Sequence, residues 1–221
     1  FLVRGEHQLG KGALTAGWQS DFGRDIERPR NNSEVVRFYY PTEDSHRFTS
    51  NYELPQVGGL QRIGVSAFLG TYSQVTDQDR HATAVTPRSI ERADVSAEDW
   101  GVRAFGEKLA GQSRIEFGVD LNGRFNLHAL DIAEVYDMAG GLARATENVS
   151  IDSARKVDTG VYASLDTTLA ARLSLAGGLR GDYVTTDNSG GYFGDYSPSH
   201  GAGSGYLALT AGSFGGWSVT G

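Results

Sequence analysis

The side chains able to ion-pair, hydrogen-bond or ligate recur at a spacing of two. In "RIEFGVDLNGRFNLH" (114–128), Arg114, Glu116, Asp120, Asn122, Arg124, Asn126 and His128 share one parity. Ile115, Phe117, Val119, Leu121, Phe125 and Leu127 share the other, with Gly123 the one small interruption. Successive side chains of a strand point to opposite faces, so this stretch is a ribbon with a charged face and an oily face. Mixed acids and bases in such rows suit a paired network or polar contact with a solute. A soluble sheet would turn the charged face to water, whereas a membrane barrel turns the oily face to lipid and the charged face inward.

Covalent chemistry finds little support. There is no cysteine, which removes thiolate nucleophiles and thiolate metal sites. His7, His46, His81, His128 and His200 are scattered without ligand spacing. Asp21-Phe22-Gly23 lacks the other kinase signatures, and Gly201, Gly203 and Gly205 lack the strand-then-helix setting of a phosphate loop. Arg180-Gly181-Asp182 lies inside a strand, and Asn148-Val149-Ser150 is a chance sequon. No catalytic residue, metal site or cofactor is expected.

The elements that carry these residues are strands. In "RLSLAGGLRGDYVTT", Leu173, Leu175, Leu179 and Tyr183 oppose Arg172, Ser174, Arg180 and Asp182. Leu14, Ala16 and Trp18 oppose Thr15, Gln19 and Asp21; Phe48, Ser50 and Tyr52 oppose Arg47, Thr49, Asn51 and Glu53; Val161, Ala163 and Leu165 oppose Tyr162, Ser164 and Asp166. About ten strands are expected, near 1–9, 13–22, 35–54 with a bend at Pro41, 60–75, 98–109, 113–128, 155–169, 172–186, 202–212 and 216–221. No stretch has helical periodicity with caps. Several strands reach the roughly 9–11 residues needed to cross a bilayer, against about 5–6 in soluble proteins.

The connections alternate in length. Short turns are expected at Gly10-Lys11-Gly12, Pro55 to Gly59, Ala110-Gly111-Gln112, Ala170-Ala171 and Ser213 to Gly215, and long polar loops at 23–34, 76–97, 129–154 and 187–201. In an antiparallel sheet this puts every short turn at one end, as in outer-membrane barrels. Trp18, Phe22, Tyr52, Tyr72, Trp100, Tyr183 and Trp217 fall near strand ends, where interfacial aromatic girdles occur. The chain has 221 residues, 39% of them hydrophobic, and no run of about 18 apolar residues, which argues against a spanning helix and leaves a barrel open. A net charge of −7 argues against nucleic acid as a partner.

"GRDIERPRNN", "VVRFYYPTEDSHRFTSNYELP", "SIERADVS", "EFGVDLNGRF" and "LSLAGGLRGDYVTTDNSGGYFGD" resemble the barrel of a TonB-dependent outer-membrane receptor. The resemblance implies an all-β fold, an antiparallel transmembrane β-barrel segment of about ten strands from a 22-stranded barrel. It implies uptake of a scarce nutrient such as a ferric siderophore, energised through TonB, in the outer membrane of a Gram-negative bacterium. The TonB box, plug, "NPxLxPE"-like segment and terminal aromatic of such receptors are not found, so residues 1–221 are expected to be part of one barrel domain. Implied partners are outer-membrane lipid and lipopolysaccharide, the protein's own plug and through it TonB, and a small-molecule metal chelate.

Under this reading the polar parity supplies lumen- or plug-facing candidates: Arg114, Glu116, Asp120, Asn122, Arg124, Asn126, Arg172, Arg180 and Asp182. His81, Arg88, Arg92, Tyr192, Phe193 and His200 are expected in outer loops, where they are candidates to touch the ligand; the stretch that carries the arginines reads first as a solvated loop whose guanidinium groups suit lipopolysaccharide phosphates, with ligand contact as the alternative. Two alternatives stay open. One is a porin-like outer-membrane channel. The other is a soluble β-sandwich binding module, whose strands would be shorter and whose turn lengths would not sort by end.

Overall fold

The computed structural model describes residues 1–28, 32–214 and 217–220. They form one ten-stranded antiparallel sheet in simple up-and-down order, each strand paired with its sequence neighbours. The strands are β1 (Leu2–Leu9), β2 (Gly12–Glu27), β3 (Val36–Val57), β4 (Leu60–Arg80), β5 (Ser89–Ala110), β6 (Ser113–Tyr136), β7 (Leu142–Ala170), β8 (Leu173–Ser189), β9 (Ser199–Phe214) and β10 (Trp217–Thr220). β1 and β10 are the two edges and do not pair with each other. Among the described residues there is no helix.

The connections sort by end. Residues 10–11, 58–59, 111–112 and 171–172 each close a two-residue hairpin at one end, and 28–35, 81–88, 137–141 and 190–198 make longer connections at the other. Gly58 and Gly59, with φ of 55° and 84°, supply the paired left-handed conformations that match hairpin twist. The turn expected at Ser213 to Gly215 reaches residues outside those described.

The strands run much further than apolar alternation indicates. The expected loops at 76–97 and 129–154 shrink to 81–88 and 137–141, and β7 reaches 29 residues. The reason is that polar and charged residues in these stretches pair across strands, as Arg92 does with Asp77 and Ser150 with Asp131. Polarity ends the oily face without ending the hydrogen-bond ladder. At about 3.3 Å per residue β6 is some 80 Å long, several times the roughly 25 Å apolar band of an outer-membrane barrel. Two irregularities bend this wall. Pro41, which has no N–H to donate, falls in the register shift between Tyr39 and Thr42, and Asn126, at φ 51°, marks a bulge opposite Ser96 to Glu98.

The sheet has almost no core. Ala97 and Ala154 are the buried hydrophobic residues, while Leu69 is 60% exposed and Leu179 and Leu207 are 75% exposed. Register puts these exposed residues on one continuous face. Its rows include Trp18–Phe48–Leu69–Trp100 and Tyr52–Val65–Ala104–Val119–Val161. The opposite face carries rows such as Glu6–Thr15–Asn51–Ser66–Arg103–Asp120–Gly160–Asp182, unbroken over eight strands. A soluble sheet hides its apolar face under another layer, whereas a membrane barrel presents it outward.

Glycines seat the large rings. Phe68 lies opposite Gly101, Phe105 opposite Gly64, and Tyr162 opposite Gly118, and in each pair a Cβ on the glycine would collide with the facing ring. Such aromatic-on-glycine pairs let a ring lie flat over the neighbouring strand. Of the expected girdle, Trp18, Phe22, Tyr52, Trp100 and Tyr183 lie on the apolar face. Tyr72 instead shares the polar face, opposite Ala97, because its even position in β4 follows that of Ser66 and Phe68.

Candidate functional site

The polar face is held by a continuous relay of ion pairs and hydrogen bonds from β3 to β8. Arg62 meets Glu53 at 3.5 Å and Glu107 at 3.1 Å, and Glu107 also accepts Arg114 at 2.8 Å. Arg114 lies 3.7 Å from Glu116, which accepts the Tyr162 hydroxyl at 3.3 Å. That hydroxyl accepts Arg103 at 3.0 Å, and Arg103 meets Asp120 at 3.3 Å. Asp120 also holds Arg180 at 2.6 Å, and Arg180 holds Asp182 at 2.7 Å. Glu107 and Asp120 each serve two cations, and Glu116 serves one cation and the Tyr162 hydroxyl. Shared partners fix side chains that separately would gain little from ion pairing at a wet surface.

The expected lumen-facing residues therefore divide. Arg114, Glu116, Asp120, Arg180 and Asp182 are brought into this relay. Arg124 lies apart from it in a bidentate pair with Asp99 at 2.7 and 3.0 Å, and Asn122 shares the face between Gly101 and Asp158. Asn126 sits at the bulge and donates to Glu98 at 3.4 Å, because the extra residue there turns it out of the alternation. Arg172 is not on a strand face: β8 begins at Leu173, and Arg172 occupies the hairpin turn.

The missed members were within reach of the same parity count. Arg103 and Glu107 alternate with Val102 and Ala104 in β5, and Arg62 alternates with Ile63 in β4. No apolar run drew attention to them.

Beyond the apolar band the other face also becomes charged. Arg92 grips Asp77 with two bonds of 2.7 Å, and the Tyr39 hydroxyl adds a third at 3.1 Å. Arg88 holds Asp79 at 2.9 and 2.6 Å and its guanidinium lies 5.3 Å from the Tyr136 ring centre. Arg37 donates to Glu27 at 2.6 Å. The hydrogen bonds from Arg88 hold the Asp79 carboxyl below its ordinary value against the opposing effect of burial. Unbroken pairing along β4 and β5 puts Asp77 and Arg92 on the same face as Leu69 and Trp100.

This placement corrects two of the expected loop positions. Arg92 lies within β5, and His200 lies within β9 opposite Val184. Both stretches lack apolar alternation, yet their backbones stay in the ladder. Arg88 immediately precedes β5, and its guanidinium is already committed to Asp79. His81 follows β4, its backbone N–H bonded to Val35. Tyr192 and Phe193 do occupy the β8–β9 connection, exposed and edge to face with ring centres 5.4 Å apart. Among the described residues no three His, Asp or Glu side chains converge to hold a metal ion.

One-face apolar exposure, hairpins sorted by end, and a polar face with its own charge relay are the features of a transmembrane β-barrel wall. Comparison of the fold leads to the same class. The chain is similar to the structure titled copper transporter OprC, with a TM-score of 0.61 and 12% identity over 91% of this chain and 38% of that one. It is also similar to the siderophore receptor PiuA from Acinetobacter baumannii, with a TM-score of 0.50 and 8% identity over 95% of this chain and 44% of that one. The chain thus spans about two fifths of the length of these structures. No family model and no curated protein matches its sequence. The likeness to the barrel of TonB-dependent receptors holds at the level of fold.

Proposed function

We propose that the chain is a stretch of the barrel domain of an outer-membrane receptor that takes up a scarce nutrient. Its apolar face meets outer-membrane lipid and, higher up, lipopolysaccharide; its polar face lines the lumen. The observation that carries this reading is the pairing of an apolar face left uncovered by any second layer with a charge relay on the opposite face. Two unpaired edges call for further strands to close the wall, in line with the longer chains of the two similar structures. A metal chelate such as a ferric siderophore would be captured at the long-connection end. A plug domain moved through TonB would then open the lumen. Localisation follows as the outer membrane of a Gram-negative bacterium.

The test uses the full-length protein that contains this chain. It should fractionate with outer membranes, and cells lacking it should lose uptake of one metal chelate, as should cells lacking TonB. Uptake that persists without TonB while still requiring this protein would replace the receptor with a passive channel.

A further inference from the structure

Two adjoining hollows lie on the polar face, of about 740 and 720 Å³, both lined in part by Arg47, Phe68 and Asn122. The polar-face cations around them are Arg4, Arg47, Arg103, Arg124, Lys156 and Arg180, against Asp99, Asp120 and Asp158. Six positive groups line the hollows against three carboxylates, with Asp182 on Arg180 just beyond the lining, so positive charge is locally in excess in a chain whose net charge is −7. The carboxylates are already engaged: Asp99 by Arg124, Asp158 by Lys156, and Asp120 by both Arg103 and Arg180. Among the described residues Arg4 and Arg47 have no ion-pair partner; Arg47 is stacked 4.1 Å over the Phe68 ring.

These two arginines lie two strands apart, either side of a small and hydroxylic floor. Gly17 and Thr49 are directly paired there, with Arg4 opposite Gly17 and Arg47 two residues before Thr49. Strands are about 4.8 Å apart and residues about 3.3 Å apart along a strand, so the two stems start roughly 12 Å from one another, and both long guanidinium side chains can reach one ligand. A guanidinium held over a ring face, with no carboxylate partner, keeps N–H donors for a bidentate carboxylate.

We propose that Arg4 and Arg47, over the Gly17–Thr49 floor, form a way-station for solutes that carry carboxylate groups. This rests on the receptor reading above and narrows its cargo to anionic solutes. The excess positive potential between low-dielectric walls would draw such a solute to mid-wall. The neighbouring relay, whose arginines are all engaged by carboxylates, would guide it without holding it.

The experiment uses the full-length protein in bilayers with Thr49→Cys, this chain contributing no other thiol. An anionic sulfonate thiosulfonate and a cationic trimethylammonium thiosulfonate are compared, each scaled to its rate on a small free thiol. The expected result is about tenfold faster labelling by the anionic reagent. That preference should vanish with Arg4→Gln and Arg47→Gln together, and citrate should slow labelling where uncharged inositol does not. Equal rates for the two reagents would overturn the proposal. So would protection from both reagents in the folded protein with labelling after unfolding, since another part of the protein would then cover the strip. Membrane fractionation of the same sample distinguishes this from failure of the receptor reading: a soluble protein would sink that reading whatever the labelling ratio.

Discussion

Asp77 is 1% exposed, and Arg92 closes over it with two hydrogen bonds of 2.7 Å. Among the described residues the most deeply buried side chain is thus a carboxylate, in strand extensions that carry little apolar surface. Leaving one member of a buried pair alone costs about 3–5 kcal/mol, reduced here because the Arg92 side chain is 43% exposed. Asp77→Asn is therefore expected to loosen the upper wall by about 1–3 kcal/mol. Hydrogen exchange in the full-length protein should rise over residues 72–80 and 89–97 and stay unchanged over 60–69. Uniform exchange across both stretches would contradict this.

The Asp79 pair gives a pH dependence of known sign. Its folded carboxyl is held below the ordinary value by Arg88, so the pair stabilises above about pH 4 and is lost as pH falls through the folded value. Pepsin cleavage within 81–88, normalised to an unfolded substrate, should climb as pH drops from about 4 to 2. With Asp79→Asn it should already be high and flat across that range. A native profile as flat as the variant's would remove the pair from the account.

Glycine substitutions should rank by what the new Cβ meets. At Gly118 it would lie 2.6 Å from the Ala104 carbonyl oxygen, which is backbone and cannot swing away. At Gly101 it would meet the far edge of the Phe68 ring, which can tilt. Gly118→Ala should cost about 1–3 kcal/mol and Gly101→Ala less. Urea unfolding of the bilayer-inserted protein measures both, and the reverse order would show that Phe68 is the more tightly held.

How much of this was legible follows from what alternation records. Val119 beside Asp120, or Leu179 beside Arg180, declares two faces because the oily partner is present. Past Leu69 and Trp100 the oily partner stops, so Asp77 and Arg92 look like loop although the ladder continues beneath them. Register was hidden for a related reason: Arg180 meeting Asp120 depends on β7 offering Gly160 between them, which a single strand's pattern does not contain. The hairpin ends were legible in Gly58-Gly59, whereas Arg172 was carried into the strand because nothing in its parity marks the turn. Unmatched charge at Arg4 and Arg47 became visible only when the neighbours' carboxylates were assigned.

Adjacent residues of opposite parity should respond differently to the same bilayer. Val119→Lys puts a charge on the apolar face and should cost about 2–4 kcal/mol near the midplane. Asp120→Asn releases Arg103 and Arg180, but Arg180 retains Asp182, so a smaller loss is expected. Folding yield into lipid vesicles compares them; equal yields would place both residues in one environment.

The most direct measurement is a spin-label scan of residues 116–122 in the full-length protein in bilayers. Labels at Phe117, Val119 and Leu121 should collide freely with dissolved oxygen and hardly with a water-soluble nickel chelate. Labels at Glu116, Asp120 and Asn122 should show no such preference for oxygen. A period-two alternation of that phase supports an apolar face turned to lipid around a polar lumen. The opposite phase, or no alternation, would contradict the barrel-wall account.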